Sequence, residues 1–341
     1  MIKKTGICFL LAFLVTSGIF SESADLVYAE GFVDLKLADG EIVEAFIGDF
    51  VETGDTIITG EDSLAEMVRE NGSTIKISPD TIFTFQEIER DGERRSVFAT
   101  TLGLVKFKFD RFTGKEPLIA TPGTVAGVRG TEFQVLAGAD GTTLVIVESG
   151  KVVVEAAGES VELLPEEGVE VPAGGVPGEK FTVLHGQMDF SSWNADKLDS
   201  ALEDPAAAIQ SLEKSMASFA SELDMLTPLF AESNEELKSE RAILAKMKED
   251  KKSNDELADY YSKTVFPLEV QTSYIALNQR YYALSALSFR RFVLGSLYAR
   301  VKSLYIGRLT SASYMDFAKT YSKIIREYER AVVPLLVEAD I

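Results

Sequence analysis

The chain has 341 residues, one cysteine, one histidine and a formal net charge of −20. That length allows about two domains of roughly 100–200 residues each, enough to bury a sizeable core. The acidity repels phosphate backbones and argues against a nucleic-acid partner, and no D-x-[DN]-x-[DN]-G loop is present to organise calcium.

The charge is uneven along the chain. Residues 24–184 carry 13 Lys/Arg against 30 Asp/Glu, whereas residues 185–341 carry 19 against 23. At the start, Lys3 and Lys4 precede an apolar run, Ile7–Phe20, that is short for a membrane span. Ser21-Glu22-Ser23 then supplies small residues where a signal peptidase reads. Residues 1–23 are therefore expected to be a signal peptide, with an uncleaved anchor as the alternative. Cys8 stands at the front of the apolar run, the wrong place for lipidation, so a lipoprotein is not expected. Cleavage would leave a chain without cysteine and exclude disulfides.

Residues 24–184 read as an all-β domain. Alternating apolar runs are punctuated by Asp39-Gly40, Gly54-Asp55, Asn71-Gly72, Asp91-Gly92 and Asp140-Gly141, the signature of strands joined by tight turns. In KFKF, Lys106 to Phe109, alternation puts Phe107 and Phe109 on one face. The run TPGTVAGVRGTEFQV, Thr121 to Val135, holds Gly123, Gly127 and Gly130. It is not a phosphate-binding loop, because no Lys precedes Thr131 and a strand follows, not a helix. Its glycines read as bends between strands. Pro172 to Gly178 reads as a linker or loop.

Residues 185–341 read as an all-α domain, a helical hairpin or bundle. Asp204-Pro205 is a helix start. Leu212, Met216, Phe219 and Leu223 share one helical face. Pro228, Pro267 and Pro334 mark expected breaks or kinks. Lys246 to Glu256 (KMKEDKKSNDE) reads as a solvated tip or turn. Ten of the eleven tyrosines lie from Tyr260 onward. Tyr314, Tyr321 and Tyr328 are seven apart and line one face. They read either as fillers of a helix seam or as a partner surface. Heptad-spaced positions leave homo-oligomerisation through this half open.

No catalytic, cofactor-binding or metal-ligating set emerges. His185 has no Cys or His companions for zinc, and no G-x-S-x-G elbow occurs. Trp193 is placed to pack the domain junction. An enzyme is not expected.

From Gly48 to Glu155 the sequence resembles the FecR-type domain family. The resemblance rests on GDFVETGDTIITGEDSLAEM (Gly48 to Met67), ENGSTIKISPDTIFTF (Glu70 to Phe85), ATPGTVAGVRGTEFQV (Ala120 to Val135) and DGTTLVIVESGKVVVE (Asp140 to Glu155). Its most specific part is Arg129-Gly130-Thr131-Glu132-Phe133, with Gly127 just before. These residues are read as structural: Arg129 would bond carbonyls or a carboxylate within the domain, with a ligand carboxylate or phosphate as the alternative partner. The resemblance implies an exported domain of short stacked strands, solenoid-like or a roll. Its best-known members regulate sigma factors across the inner membrane and take a signal from an outer-membrane receptor. Here the domain would follow the signal peptide directly, and helices would replace the receptor-facing part.

The expectation is thus an α+β protein with segregated domains, exported to the periplasm or envelope. It would act as a non-enzymatic binding protein with an envelope protein partner. The alternatives are a sensor or regulator working through a receptor, and a glycan-binding protein.

Overall fold

The structure, a computed structural model, describes residues 23–109, 116–183 and 190–338. Residues 1–22 of the expected signal peptide and His185 lie outside the described residues, and Ser23 opens the first strand. Fifteen strands occupy the first part and helices the second, so the segregated α+β class holds.

Every turn pair singled out in the sequence falls between strands. The strands are β1 (Ser23–Glu30), β2 (Val33–Lys36), β3 (Ile42–Glu44), β4 (Phe50–Glu52), β5 (Thr56–Thr59), β6 (Leu64–Arg69), β7 (Thr74–Ile77), β8 (Ile82–Arg90), β9 (Glu93–Lys108), β10 (Leu118–Thr121), β11 (Thr124–Ala137), β12 (Thr143–Ala156), β13 (Glu159–Leu163), β14 (Glu167–Val171) and β15 (Phe181–Thr182). Positive φ at both Asp91 and Gly92 closes the β8–β9 hairpin with the twist that suits it.

β9 is the hub of the sheet. Its first half pairs with β8 and, in parallel, with β10; its second half pairs with β7 and β11. The strand bends between the halves at Gly103, φ +90°. A Cβ there would lie 2.2 Å from Thr81 Oγ1 and 2.6 Å from Thr81 Cα, so only glycine fits. From β9 one branch runs through β7 and β6 to β1 and β4, another through β8 to β5 and β2, and a third through β11 and β12 to β14 and β15.

These branches enclose one apolar core. At its centre sit Phe83, Phe85, Phe98, Phe107, Phe109 and Phe133, all buried. Neighbouring rings stand 4.9 Å apart for Phe85–Phe98 and 5.1 Å for Phe107–Phe133, the spacing of favourable aromatic pairs.

The helices are α1 (Phe190–Glu203), α2 (Pro205–Glu249), α3 (Asn254–Tyr260), α4 (Phe266–Ser288), α5 (Gly295–Leu304), α6 (Ala312–Ala331) and α7 (Val333–Glu338). Asp204 caps α2 by accepting a hydrogen bond from the Ala207 amide, with Pro205 in the first turn. α2 has 45 residues, about 67 Å at 1.5 Å per residue. It remains helical across Pro228, and beside it Thr227 Oγ1 donates to the Leu223 carbonyl. After a turn at Asp250–Ser253, α3, α4 and α5 return as one rod. Single π-helical turns at Tyr261–Val265 and Phe289–Leu294 link them. α6 packs back on α2 and α5, and a second apolar core fills this bundle.

Candidate functional site

The most specific motif builds a bend. Arg129 pairs with Lys151 across β11–β12, and the register then shifts before Glu132. The Arg129 side chain lies outside the described residues. Gly130 has φ +53°, a left-handed value suited to glycine. Thr131 is buried, and its carbonyl accepts the Phe109 amide at 2.9 Å. Opposite stands Gly150, φ +82°, where a Cβ would come within 2.5 Å of the Gly130 oxygen. Two glycines face to face thus let both long strands turn together. Past the bend, Phe133 enters the core, and Glu132 and Glu148 hold Lys106 at 3.1 and 2.9 Å. Gly127 has an ordinary φ and open space where a Cβ would stand.

The same glycine-rich run begins beside a cleft. Thr121–Thr124 forms the β10–β11 turn on the floor of a cavity of about 700 Å³ between the β domain and helices α2 and α4. Small-molecule sites fall in this size range. Arg90 and Glu155 form a 2.9 Å ion pair on its wall. The hydroxyls of Thr124 and Ser215 are buried there without a hydrogen-bond partner among the described residues. Burial pushes the Tyr281 phenol up, and burial together with nearby Glu222 pushes Tyr282 up to about 12. Both phenols therefore stay protonated near neutrality and can donate hydrogen bonds.

α4 closes the cleft by docking on β8. The Asn278 amide bridges both backbone groups of Glu89, accepting from its N–H at 2.7 Å and donating to its carbonyl at 3.2 Å. Arg94 donates to Ser273, and Ser285 to Gln86. Tyr281 packs on Val97, Ala99, Leu118 and Ala120. At the other end, Trp193 of α1 packs near Gly138 and donates to Glu170 at 3.1 Å. Sequence reasoning missed Asn278, Arg90 and Tyr282. An Asn inside a helix, where its propensity is poor, is the one signal the sequence offers.

Tyr314 and Tyr328 are buried and Tyr321 is partly so, all within the bundle. Tyr321 stacks on Tyr298 at 4.3 Å, Tyr314 lies 5.7 Å from Tyr305, and Arg290 covers Tyr328. Within the single chain these rings pack in the helix seam. Among the described residues no group of three or more His, Cys, Asp or Glu could hold a metal ion, and no helix is long and apolar enough to cross a membrane.

Residues 55–153 match the family described as FecR protein. No curated protein matches the chain. Two crystal structures, at 1.65 and 2.50 Å, of a protein from Parabacteroides distasonis ATCC 8503 provisionally described as an anti-sigma factor are similar at 20% and 19% identity. Their TM-scores are 0.34 and 0.33, and the matches cover 40% and 47% of this chain. They span 63% and 73% of those chains. Residues 55–153, the middle of the β part, are thus similar to the FecR family, and helices make up the second half of the chain.

Proposed function

We propose that the chain works in the bacterial cell envelope as a non-catalytic, regulatory interaction protein. Its FecR domain would bind a protein partner, and its helical half would serve as an arm fixed to that domain. The FecR match over residues 55–153 supports the envelope and regulatory parts of this reading.

The observation that carries the arm is the way α2 outruns the β domain. Its inner part lines the cleft, whereas the outer bonds of α2 run to the returning limb: Ser233–Thr272 at 2.7 Å, Arg241–Glu269, and Tyr260 to Glu240. Asn278 and Trp193 clamp the base, so platform and arm move together.

Export would follow from cleavage after Ser23, and mass spectrometry of the protein from the producing cell checks it. An intact Met1 in the cell-envelope fraction would favour the retained anchor. The binding role is tested by placing a photo-crosslinker at Phe50 and, separately, at Phe266 in the producing cell. A discrete envelope protein joined from the β half is expected. Adducts only between copies through the helical half would replace the regulatory reading with a structural one.

A further inference from the structure

The N-terminal strands of the β domain carry large apolar side chains on the outside. Phe32 is 84% exposed, Phe46 60%, Ile47 63% and Phe50 63%, with Val27 and Tyr28 also exposed. The backbone brings them together. Asp34 pairs with Glu44, and the Ala45 amide bonds the Val33 carbonyl; continuing that register sets Phe46 across from Phe32. The Gly48 amide bonds the Leu26 carbonyl, which places Ile47 beside Val27, and Phe50 pairs with Asp25. β4, which holds Phe50, ends the strand order. Scattered exposed apolar residues are ordinary, but a contiguous cluster with a polar rim marks an interaction surface.

The rim is of one sign. Residues 23–66 hold twelve Asp/Glu and a single Lys, Lys36. Asp25, Glu44 and Glu52 stand exposed beside the aromatic rings. A second copy of the same face would meet like charge, and an anionic lipid surface would be repelled. A basic partner is attracted and then buries the rings.

We propose that this face docks a basic amphipathic segment of another protein, one in which Lys or Arg flank apolar anchors. The proposal rests on the reading that the chain acts by binding a protein, and it names the surface and the partner's chemistry. Apolar anchors would fill the ground between Phe46, Ile47 and Phe50, and the cations would sit against Glu44 and Glu52.

The test uses the chain from Ala24 onward, as cleavage after Ser23 would leave it, and a fluorescent 18-residue peptide of Lys and Leu in amphipathic order, with a Glu/Leu peptide as control. Anisotropy at physiological salt should show binding of the Lys/Leu peptide alone. The pair Phe46→Ser with Phe50→Ser should weaken it by about tenfold or more. The pair Glu44→Gln with Glu52→Gln should weaken it less and flatten its salt dependence. All four positions are exposed, and circular dichroism confirms that the variants fold. Peptide binding indifferent to the serine pair would overturn the proposal, since it would reflect diffuse charge. So would binding to phosphatidylglycerol vesicles, or a dimer that the serine pair dissolves. In the cell, a partner captured from Phe266 equally well with and without the serine pair would sink this face while leaving the binding role intact. Capture of no partner by the wild-type chain would count against the binding role itself.

Discussion

The glycines of the long strands are not equivalent, and their geometry ranks them. Gly103→Ala would drive a methyl into Thr81 at a left-handed φ, and we expect a loss of about 2–4 kcal/mol in urea denaturation. Gly150→Ala belongs in the same class, because its Cβ would strike Gly130 and Thr131. Gly130→Ala meets no atom, and its cost of about 1–2 kcal/mol comes from φ alone. Gly127→Ala should be close to neutral. Equal losses at all four positions would show that local backbone geometry and close approach do not set these costs. Phe133→Ala should cost about 3–5 kcal/mol, since it opens a cavity between the Phe107 and Phe109 rings. At Tyr282 the effect depends on pH. Its folded pKa of about 12 exceeds the usual value of about 10, so the unfolded chain gives up the proton first. Its contribution is fully present below pH 10 and is lost as pH rises from 10 to 12. Tyr282→Phe should therefore blunt the alkaline fall in thermal stability across that window.

At the scale of elements, the strands were legible because turns carry local chemistry. Asp39-Gly40, Asn71-Gly72 and Asp91-Gly92 announce reversals that need no distant partner, and the Asp204-Pro205 cap does the same for α2. The long strands were harder to read. β9, β11 and β12 each run on through a glycine that looks like a terminator, because a neighbouring strand continues the ladder past the bend. At Pro228, packing against α4 and α6 carries α2 across a residue that would break an isolated helix. Asn278 stood out only as a poor helix former, and its partner could not be read, since its role depends on β8 lying nearly two hundred residues away in the sequence. Asn278→Ala removes both bonds to Glu89 and should cost about 1–3 kcal/mol. Hydrogen exchange should show that loss as faster opening at Glu89 and along α4, with the phenylalanine core unchanged. Exchange that speeds up equally in the core would mean the two halves do not open separately.

For the molecule as a whole, the segregation of β and α halves followed from composition. Their mutual docking did not, because it depends on contacts between distant segments. The cleft is made by both halves at once, and so are its buried hydroxyls, which is why no local pattern pointed to it. The acidic excess, by contrast, was visible at once, and the structure shows where it gathers against exposed rings. The hub position of β9 also has a consequence for the order of synthesis. As the chain emerges, β1 to β7 appear before the strand that joins their branches. The β8–β9 hairpin closes locally and is the cheapest contact to form. Until Lys108 is out, the β6–β7 ribbon has no seat, and until Ala137 is out the second half of β9 lacks one neighbour. A nascent chain stalled within that interval would expose an unpaired apolar strand. The β domain is thus a fold whose first third waits on its middle, and a chaperone that covers the early strands would act on that interval.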